Sequence, residues 1–267
     1  MKIYVNLIRI ILAFFFLAAL NIIRFGSFFP VNADIHTWTW LLLSGLVGFV
    51  LGDMFLFESF TIIGARIAAL IMTAVPIITA FIGWLIMGET LTFIHFIGMF
   101  LTISGITIVL FSHDTAQKKF RLTHSVKGIL FALLGAIGQA VGLVLSKYGM
   151  KDYDPFMATQ IRTIAGIAGF FIIIMIFKSW NKVESSFKNK PAMVRIVYGS
   201  FFGPFLGVSL SLYSVQHANT GVASTIMAMV PVLIIPPSMI FLKQKITLQE
   251  IIGSIISVAG VSLFFIW

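Results

Sequence analysis

Residues 196–242 read IVYGSFFGPFLGVSLSLYSVQHANTGVASTIMAMVPVLIIPPSMIFL, and no Asp, Glu, Lys or Arg interrupts them. A helix rises about 1.5 Å per residue, so roughly 20 apolar residues cross the about 30 Å of hydrocarbon in a bilayer. The stretch therefore has room for two spans. The rest of the chain agrees, with 59% of its 267 residues hydrophobic and 10% charged, and a mean hydropathy of +1.06. Ordinary soluble domains are nearer a quarter charged. So few charges cannot cover a water-facing surface. The sequence predicts an all-α, polytopic membrane bundle.

Working outward, the apolar blocks predict nine spans, at about 4–23, 38–60, 65–87, 92–111, 125–147, 155–177, 193–215, 219–242 and 248–267. Loops are short, so sequence neighbours should be neighbours in space. The longest polar segments are Ser112 to His124 and Lys178 to Pro191, and neither can form a domain. Lys2 ahead of an apolar run could signal a leader, but Arg9 breaks that run early and no small-residue cleavage site follows. A retained membrane helix is expected.

Cysteine is absent, which excludes disulfides, thiolate metal sites and cysteine nucleophiles. The net charge of +9 sits mainly in loops between apolar blocks, where it sets orientation instead of binding nucleic acid. Thirteen Lys and Arg collect on one side, three (Arg24, Lys147, Lys151) on the other, and Arg9 and Arg162 lie within spans. The richer side is predicted to be cytoplasmic, with Met1 inside and Trp267 outside.

A repeat is written into the chain. Residues 48–110 align without a gap to 203–265 at a constant offset of 155. Gly48, Gly52 and Ser59 match Gly203, Gly207 and Ser214; Ala68 and Met72 match Ala223 and Met227; Val75-Pro76 match Val230-Pro231. Thr92, Gly98 and Gly105 match Thr247, Gly253 and Gly260. Corresponding helices are five spans apart, an odd number, so the copies are predicted to be inverted. Inverted repeats are a recurrent plan of secondary transporters. Asn6-Leu7-Ile8-Arg9 further resembles Thr159-Gln160-Ile161-Arg162, which aligns the first span with the one at 155–177. The span at 125–147 then has no counterpart in the first half.

The residues Gly52-Asp53-Met54-Phe55-Leu56-Phe57, Gly64-Ala65-Arg66, Pro76 and Gly88-Glu89-Thr90-Leu91, with Pro231, Gly253 and Gly260 in the second half, resemble the EamA branch of the drug/metabolite transporter superfamily. The resemblance covers essentially the whole chain. It implies a ten-helix, five-plus-five fold with a central cavity, and export or uptake of small metabolites such as amino acids. Against that pattern, residues 1–112 form a first repeat of four spans, lacking the first helix, and 125–267 form a second repeat of five. For many relatives it implies both ends cytoplasmic, whereas the charge count places Trp267 outside.

Several residues invite a functional reading beside a structural one. Asp53 lies inside a span, where an ionised carboxylate is costly unless paired. It could bind a substrate amine or a coupling proton, or simply partner a nearby cation. Glu58 lies five residues on, about 140° around the helix, so the two carboxylates do not pair locally. Glu58 is expected at the membrane interface, and Arg66 is expected to snorkel toward headgroups. Arg9 and Arg162, equivalent in the repeat, are expected to tie helix ends or carbonyls together, with recognition of a substrate carboxylate as the sharper alternative.

Pro76 and Pro231 sit near the middle of matching helices, where proline is expected to kink the helix and free a carbonyl. Interruptions at corresponding places point to a substrate site in transporters, and Pro236-Pro237 adds another break. Met72, Thr73, Thr225 and Met227 lie within about two turns of these prolines and are cavity candidates. Gln139, Gln160, Ser209, Ser211, Tyr213 and Gln216 are polar groups that either meet a ligand or bond between helices. The seven-residue spacing of Gly98 with Gly105, and of Gly253 with Gly260, predicts close helix packing.

The five histidines show no metal-site spacing, and no Ser-His-Asp arrangement or nucleotide-binding motif occurs, so no metal, cofactor or enzymatic activity is expected. The expected function is alternating-access transport of small, amino-acid-like or otherwise amphipathic solutes across an inner or plasma membrane. A small-molecule substrate, the bilayer and a coupling proton or ion are the expected partners. The competing reading is a non-transporting membrane scaffold or a truncated, inactive homologue.

Overall fold

A computed structural model of the chain describes residues 3–112, 125–177, 180, 183, 190–233 and 247–263. Among the described residues all regular structure is helical. The helices are α1 (Ile3–Phe25), α2 (Ile35–Gly45), α3 (Asp53–Met72, which turns sharply at Gly64, φ +82° and ψ 152°), α4 (Val75–Met87), α5 (Phe93–Ser112), α6 (Val126–Met150) and α7 (Pro155–Ile176). They continue as α8 (Lys190–Ser200), α9 (Val208–His217), α10 (Thr220–Met227), α11 (Val230–Leu233) and α12 (Leu248–Ser262). By length and composition, five continuous stretches can cross a membrane: Tyr4–Phe25, Ile35–Gly64, Val126–Met150, Pro155–Ile176 and Lys190–His217. Shorter apolar helices cover Val75–Met87, Phe93–Val109 and Leu248–Ser262. The chain is the all-helical, multi-pass membrane protein that its hydropathy predicts.

Two helix pairs are joined by π-helical segments, Leu46–Gly52 between α2 and α3 and Phe201–Gly207 between α8 and α9. A π turn is an α-helix widened by an inserted residue, and such turns are frequent at functional sites. The two segments lie 155 residues apart, start to start and end to end. Each carries the matched glycines, Gly48 and Gly52 in one and Gly203 and Gly207 in the other.

The breaks follow the same offset. Helix α3 ends at Met72 and α4 begins at Val75; α10 ends at Met227 and α11 begins at Val230. Sequence reasoning places a kinked but continuous helix at each proline. The chain instead breaks at Thr73 and Ala74, and Pro76 lies in the first turn of a new helix. There its missing N–H costs nothing, because the first-turn donors have no intrahelical partner anyway. Pro231 holds the same place in α11. Pro236-Pro237 and the loop from 113 to 124 lie outside the described residues.

The helices gather into two compact units, 1–57 with 138–217, and 58–137 with 218–267. The units are not the repeats: each draws helices from both halves of the sequence. In the first unit α1 runs antiparallel to α7, its repeat equivalent, with Ile10 against Gly166 and Asn21 bonded to Gln160. Leu7, Ile8, Ile10, Phe49, Phe170 and Ile174 form the core between them. Segment 35–52 meets α6 glycine to glycine: a Cβ on Gly138 would stand 2.8 Å from the Cα of Gly52, and one on Gly142 2.8 Å from that of Gly48. Lipid tails are as apolar as side chains, so such van der Waals contact and hydrogen bonding hold membrane helices together.

In the second unit α5 crosses α12, its repeat equivalent. A Cβ on Gly105 would stand 2.5 Å from the Gly253 carbonyl, and one on Gly260 2.8 Å from the Gly98 carbonyl. The order of these contacts makes the helices antiparallel, so within this unit the repeat is inverted. Both helices begin with a threonine cap at equivalent positions. Thr247 pairs reciprocally with Glu250, and Thr92 bonds to the ring of His95. Helix α4 ends at Gly88, whose φ of +65° supplies the left-handed cap that favours glycine.

Candidate functional site

The first unit holds a buried polar cluster assembled from four helices. The π segment delivers Asp53 at its end, and the Asp53 backbone N–H donates to the Gly48 and Val50 carbonyls. Asp53 is 7% exposed. Arg9 on α1 reaches it with Nη2 at 3.3 Å from Oδ2. Gln139 on α6 donates from Nε2 to Asp53 Oδ1 at 2.8 Å and approaches the Gly48 carbonyl at 3.4 Å. The guanidinium of Arg9 also lies 5.6 Å from the ring centre of Phe57.

Arg162 on α7 completes the cluster. It is 4% exposed, and its guanidinium carbon lies 4.6 Å from the ring centre of Phe49. A Cβ on Gly48 would stand 3.1 Å from Arg162 Nη2, so the glycine makes room for the charged head beside the carbonyl that Gln139 approaches. Arg162 makes no hydrogen bond among the described residues, and its Nε is buried without a partner. Arg9 Nε, Asn6 Oδ1, Asn21 Oδ1 and Ser209 Oγ are likewise orphaned in this unit. A buried charge or polar group without a partner is costly, so such a collection marks a place built for something other than packing alone.

The structure distributes the sequence candidates unevenly. Asp53, Gln139, Arg9 and Arg162 come together. Arg9 ties α1 to the Asp53 carboxylate and Arg162 lies on the Phe49 ring, whereas the sequence reading expects each to tie helix ends or carbonyls together. Ser209 is buried in α9 of the same unit. Tyr213 is half exposed and lies against His217, with ring centres 4.5 Å apart. Gln160 donates to the Phe28 carbonyl and Gln216 to the carbonyls of Lys151 and Tyr153, so both bind chain to chain.

Met72, Thr73, Pro76, Thr225 and Met227 belong to the second unit, around its two helix breaks. Thr225 is fully buried, and its hydroxyl donates back to the Gly221 carbonyl of its own helix at 2.7 Å. Glu58 is exposed. The side chains of Arg66 and Pro231 lie outside the described residues.

A second polar contact involves Glu89, whose place in a tight loop predicts helix capping or a hinge. Glu89, in the loop after α4, accepts from the Thr220 backbone N–H at 2.8 Å and from its hydroxyl at 2.7 Å. A carboxylate thus caps the start of α10 from 131 residues away. Nearby, α4 and α5 border a groove of about 1070 Å³ lined by Phe81, Trp84, Phe96 and Phe100 among others. Its lining suits lipid chains, and its one carboxylate, Glu89, already serves as the cap. The polar cluster of the first unit is the candidate site.

The EamA-like transporter family profile matches residues 2–111 and 126–266. The chain is similar to an uncharacterised transporter of Synechocystis, 21% identical over 84% of this chain and 70% of that one. It is also similar to the uncharacterised transporter YdfC of Bacillus subtilis, 23% identical over 83% of this chain and 69% of the relative. A WAT1-related chloroplastic protein of Arabidopsis thaliana is 21% identical over 93% of this chain and 62% of its own length. One protein crystal structure has the same fold, with a TM-score of 0.78 over 98% of this chain and 86% of that one, at 15% identity.

Proposed function

We propose, from the premise that the chain belongs to the EamA-like transporter family, that it moves small amphipathic metabolites, amino-acid-like ones among them, by alternating access. Membrane transport of small solutes is the function its family carries. The finer reading rests on one observation: the interruptions of its helices recur at a single offset. The π segments 46–52 and 201–207, and the breaks after Met72 and Met227, occupy equivalent places in the two repeats. Interrupted helices at corresponding positions are where inverted-repeat transporters bind cargo, and exchanging the two repeats' conformations opens such a site to alternate sides.

The cluster around Asp53 supplies the polar contacts such cargo needs. Asp53, Gln139, Arg9 and Arg162 are the binding residues of this reading, and transport draws on an ion gradient or the solute's own gradient. An inner or plasma membrane is its place.

The test is counterflow in proteoliposomes, with a broad panel of radiolabelled amino acids and small metabolites. The full chain should exchange at least one solute, and Asp53→Asn should slow or redirect that exchange. No exchange of any solute by a correctly folded protein would reject the reading in favour of a membrane scaffold.

A further inference from the structure

Arg162 is a charged side chain more than nine-tenths buried, seated on Phe49, with no hydrogen-bond partner among the described residues. Its neighbours do not neutralise it. Asp53 carries the single carboxylate of the cluster, and that carboxylate is engaged by Arg9 at 3.3 Å and by Gln139 at 2.8 Å. Two guanidiniums face one carboxylate, which leaves one positive charge uncompensated inside a lipid-embedded unit. A buried cation that shares its one counter-ion with a second cation is left partly uncompensated, and membrane arginines of this kind mark substrate or ion paths.

We propose that Arg162 is the receptor for the carboxylate group of the solute. The inference rests on the transport reading above and narrows its substrate class to monocarboxylates and zwitterionic amino acids. Charge and shape both favour this class. A monoanion brings the cluster to neutrality, whereas a dianionic phosphate would overshoot by one charge. The planar fork of a guanidinium meets a carboxylate with two parallel hydrogen bonds, which a lysine cannot do. The guanidinium carbon lies 4.6 Å from the Phe49 ring centre, and the Nε donor beside it is buried without a partner. Gly48 is part of the same device, since any side chain there would crowd Nη2. The Arg9–Asp53 pair adjoins this receptor and stands next to the solute's remaining polar groups.

The experiment uses the purified full chain in detergent and needs no variant for its first comparison. Thermal unfolding is followed while phenylacetate, or its uncharged analogue phenylacetamide, is titrated at constant ionic strength. The carboxylate should raise the midpoint in a saturable way and the amide should not. Arg162→Gln should weaken the apparent affinity for phenylacetate by roughly 10- to 100-fold. Arg162→Lys, which keeps the charge and guards against simple misfolding, should retain an intermediate affinity.

Equal responses to acid and amide, or an unchanged response in Arg162→Gln, would overturn the proposal. So would saturation by chloride alone at the concentrations used to balance ionic strength. Counterflow separates this from the broader reading. Exchange of solutes regardless of their carboxylate would leave transport standing and remove this receptor. Carboxylate binding without any exchange would keep the receptor and remove transport.

Discussion

Thr102 and Ser257, equivalent residues of the two repeats, meet at the crossing of α5 and α12. The Ser257 hydroxyl donates to the Thr102 carbonyl at 3.3 Å, while the Thr102 hydroxyl, bonded mainly to the Gly98 carbonyl at 2.7 Å, approaches the Ser257 carbonyl at 3.5 Å. Two residues related by an approximate twofold axis can touch only if that axis passes between them. The local axis of the second unit therefore runs through this contact, and Gly105 and Gly253 beside it allow the backbones to approach so closely. In lipid, small residues at a crossing supply the van der Waals contact that stands in for the hydrophobic effect.

Gly105→Val should force this crossing apart. Its Cβ alone would meet the Gly253 carbonyl at 2.5 Å and the Ser257 backbone nitrogen at 2.6 Å. The expected cost is about 1–3 kcal/mol or more, the range for overpacking a dense contact. A fall in the thermal midpoint of the purified protein checks it. Gly199→Ala is the control, because nothing lies within 4 Å of a Cβ there.

Asp53→Asn removes the counter-ion of Arg9 while keeping the side chain's shape. The loss should be about 1–3 kcal/mol, below the full value of a deeply buried pair because Arg9 keeps 27% of its side chain exposed. Arg9→Gln combined with Asp53→Asn should be less damaging than the two single changes added together. A double-mutant cycle on unfolding free energy measures this coupling, and strict additivity would mean that the 3.3 Å contact contributes nothing.

Glu89→Ala should loosen the start of α10. It deletes the acceptor of two hydrogen bonds at Thr220, and losing a cap of this kind costs about 0.5–2 kcal/mol. Amide exchange at Thr220 and the residues following it should quicken. Glu89→Gln, which keeps an acceptor oxygen but not the charge that complements the helix dipole, should fall between.

Gly48→Leu should damage the candidate site and the packing beneath it. The new side chain would compete with the Arg162 head, which lies 3.1 Å from the Cβ position, and with Gly142 at 3.6 Å. Any exchange measured for the wild type should be lost, and the thermal midpoint should fall with it, because the glycine contact with α6 is overpacked. Gly203→Leu, at the equivalent position of the second repeat, has open space within 4 Å and should keep its activity.

The repeat offset marks where both helices are interrupted: Val75-Pro76 and Val230-Pro231 each stand at the opening of a new helix. It did not reveal that these are full breaks, because a lone proline is compatible with a kink as well as with a first turn. The π segments were legible only as paired glycines, since no residue pattern distinguishes a π turn from an α turn. The Thr247-x-x-Glu250 cap carries a recognisable signature and could have been read directly. For Glu89 a capping role was legible from its tight loop, but the helix it caps was not, because its partner Thr220 is remote in the chain.

Hydropathy, glycine spacing and the recurrence of proline are local properties of the chain. They were enough to determine a multi-pass helical membrane protein and to predict its doubled, inverted design. Which helix faces meet is not local, and only the tertiary structure decided it. Arg9 and Arg162 occupy equivalent places in the sequence, yet one hydrogen-bonds a carboxylate 44 residues away and the other keeps a buried Nε without a partner. The compact units likewise interleave the repeats instead of following them. The physical reason is that lipid accepts any apolar helix surface equally well. Selection among faces falls to close glycine contacts and to the few polar groups that must find one another inside the membrane.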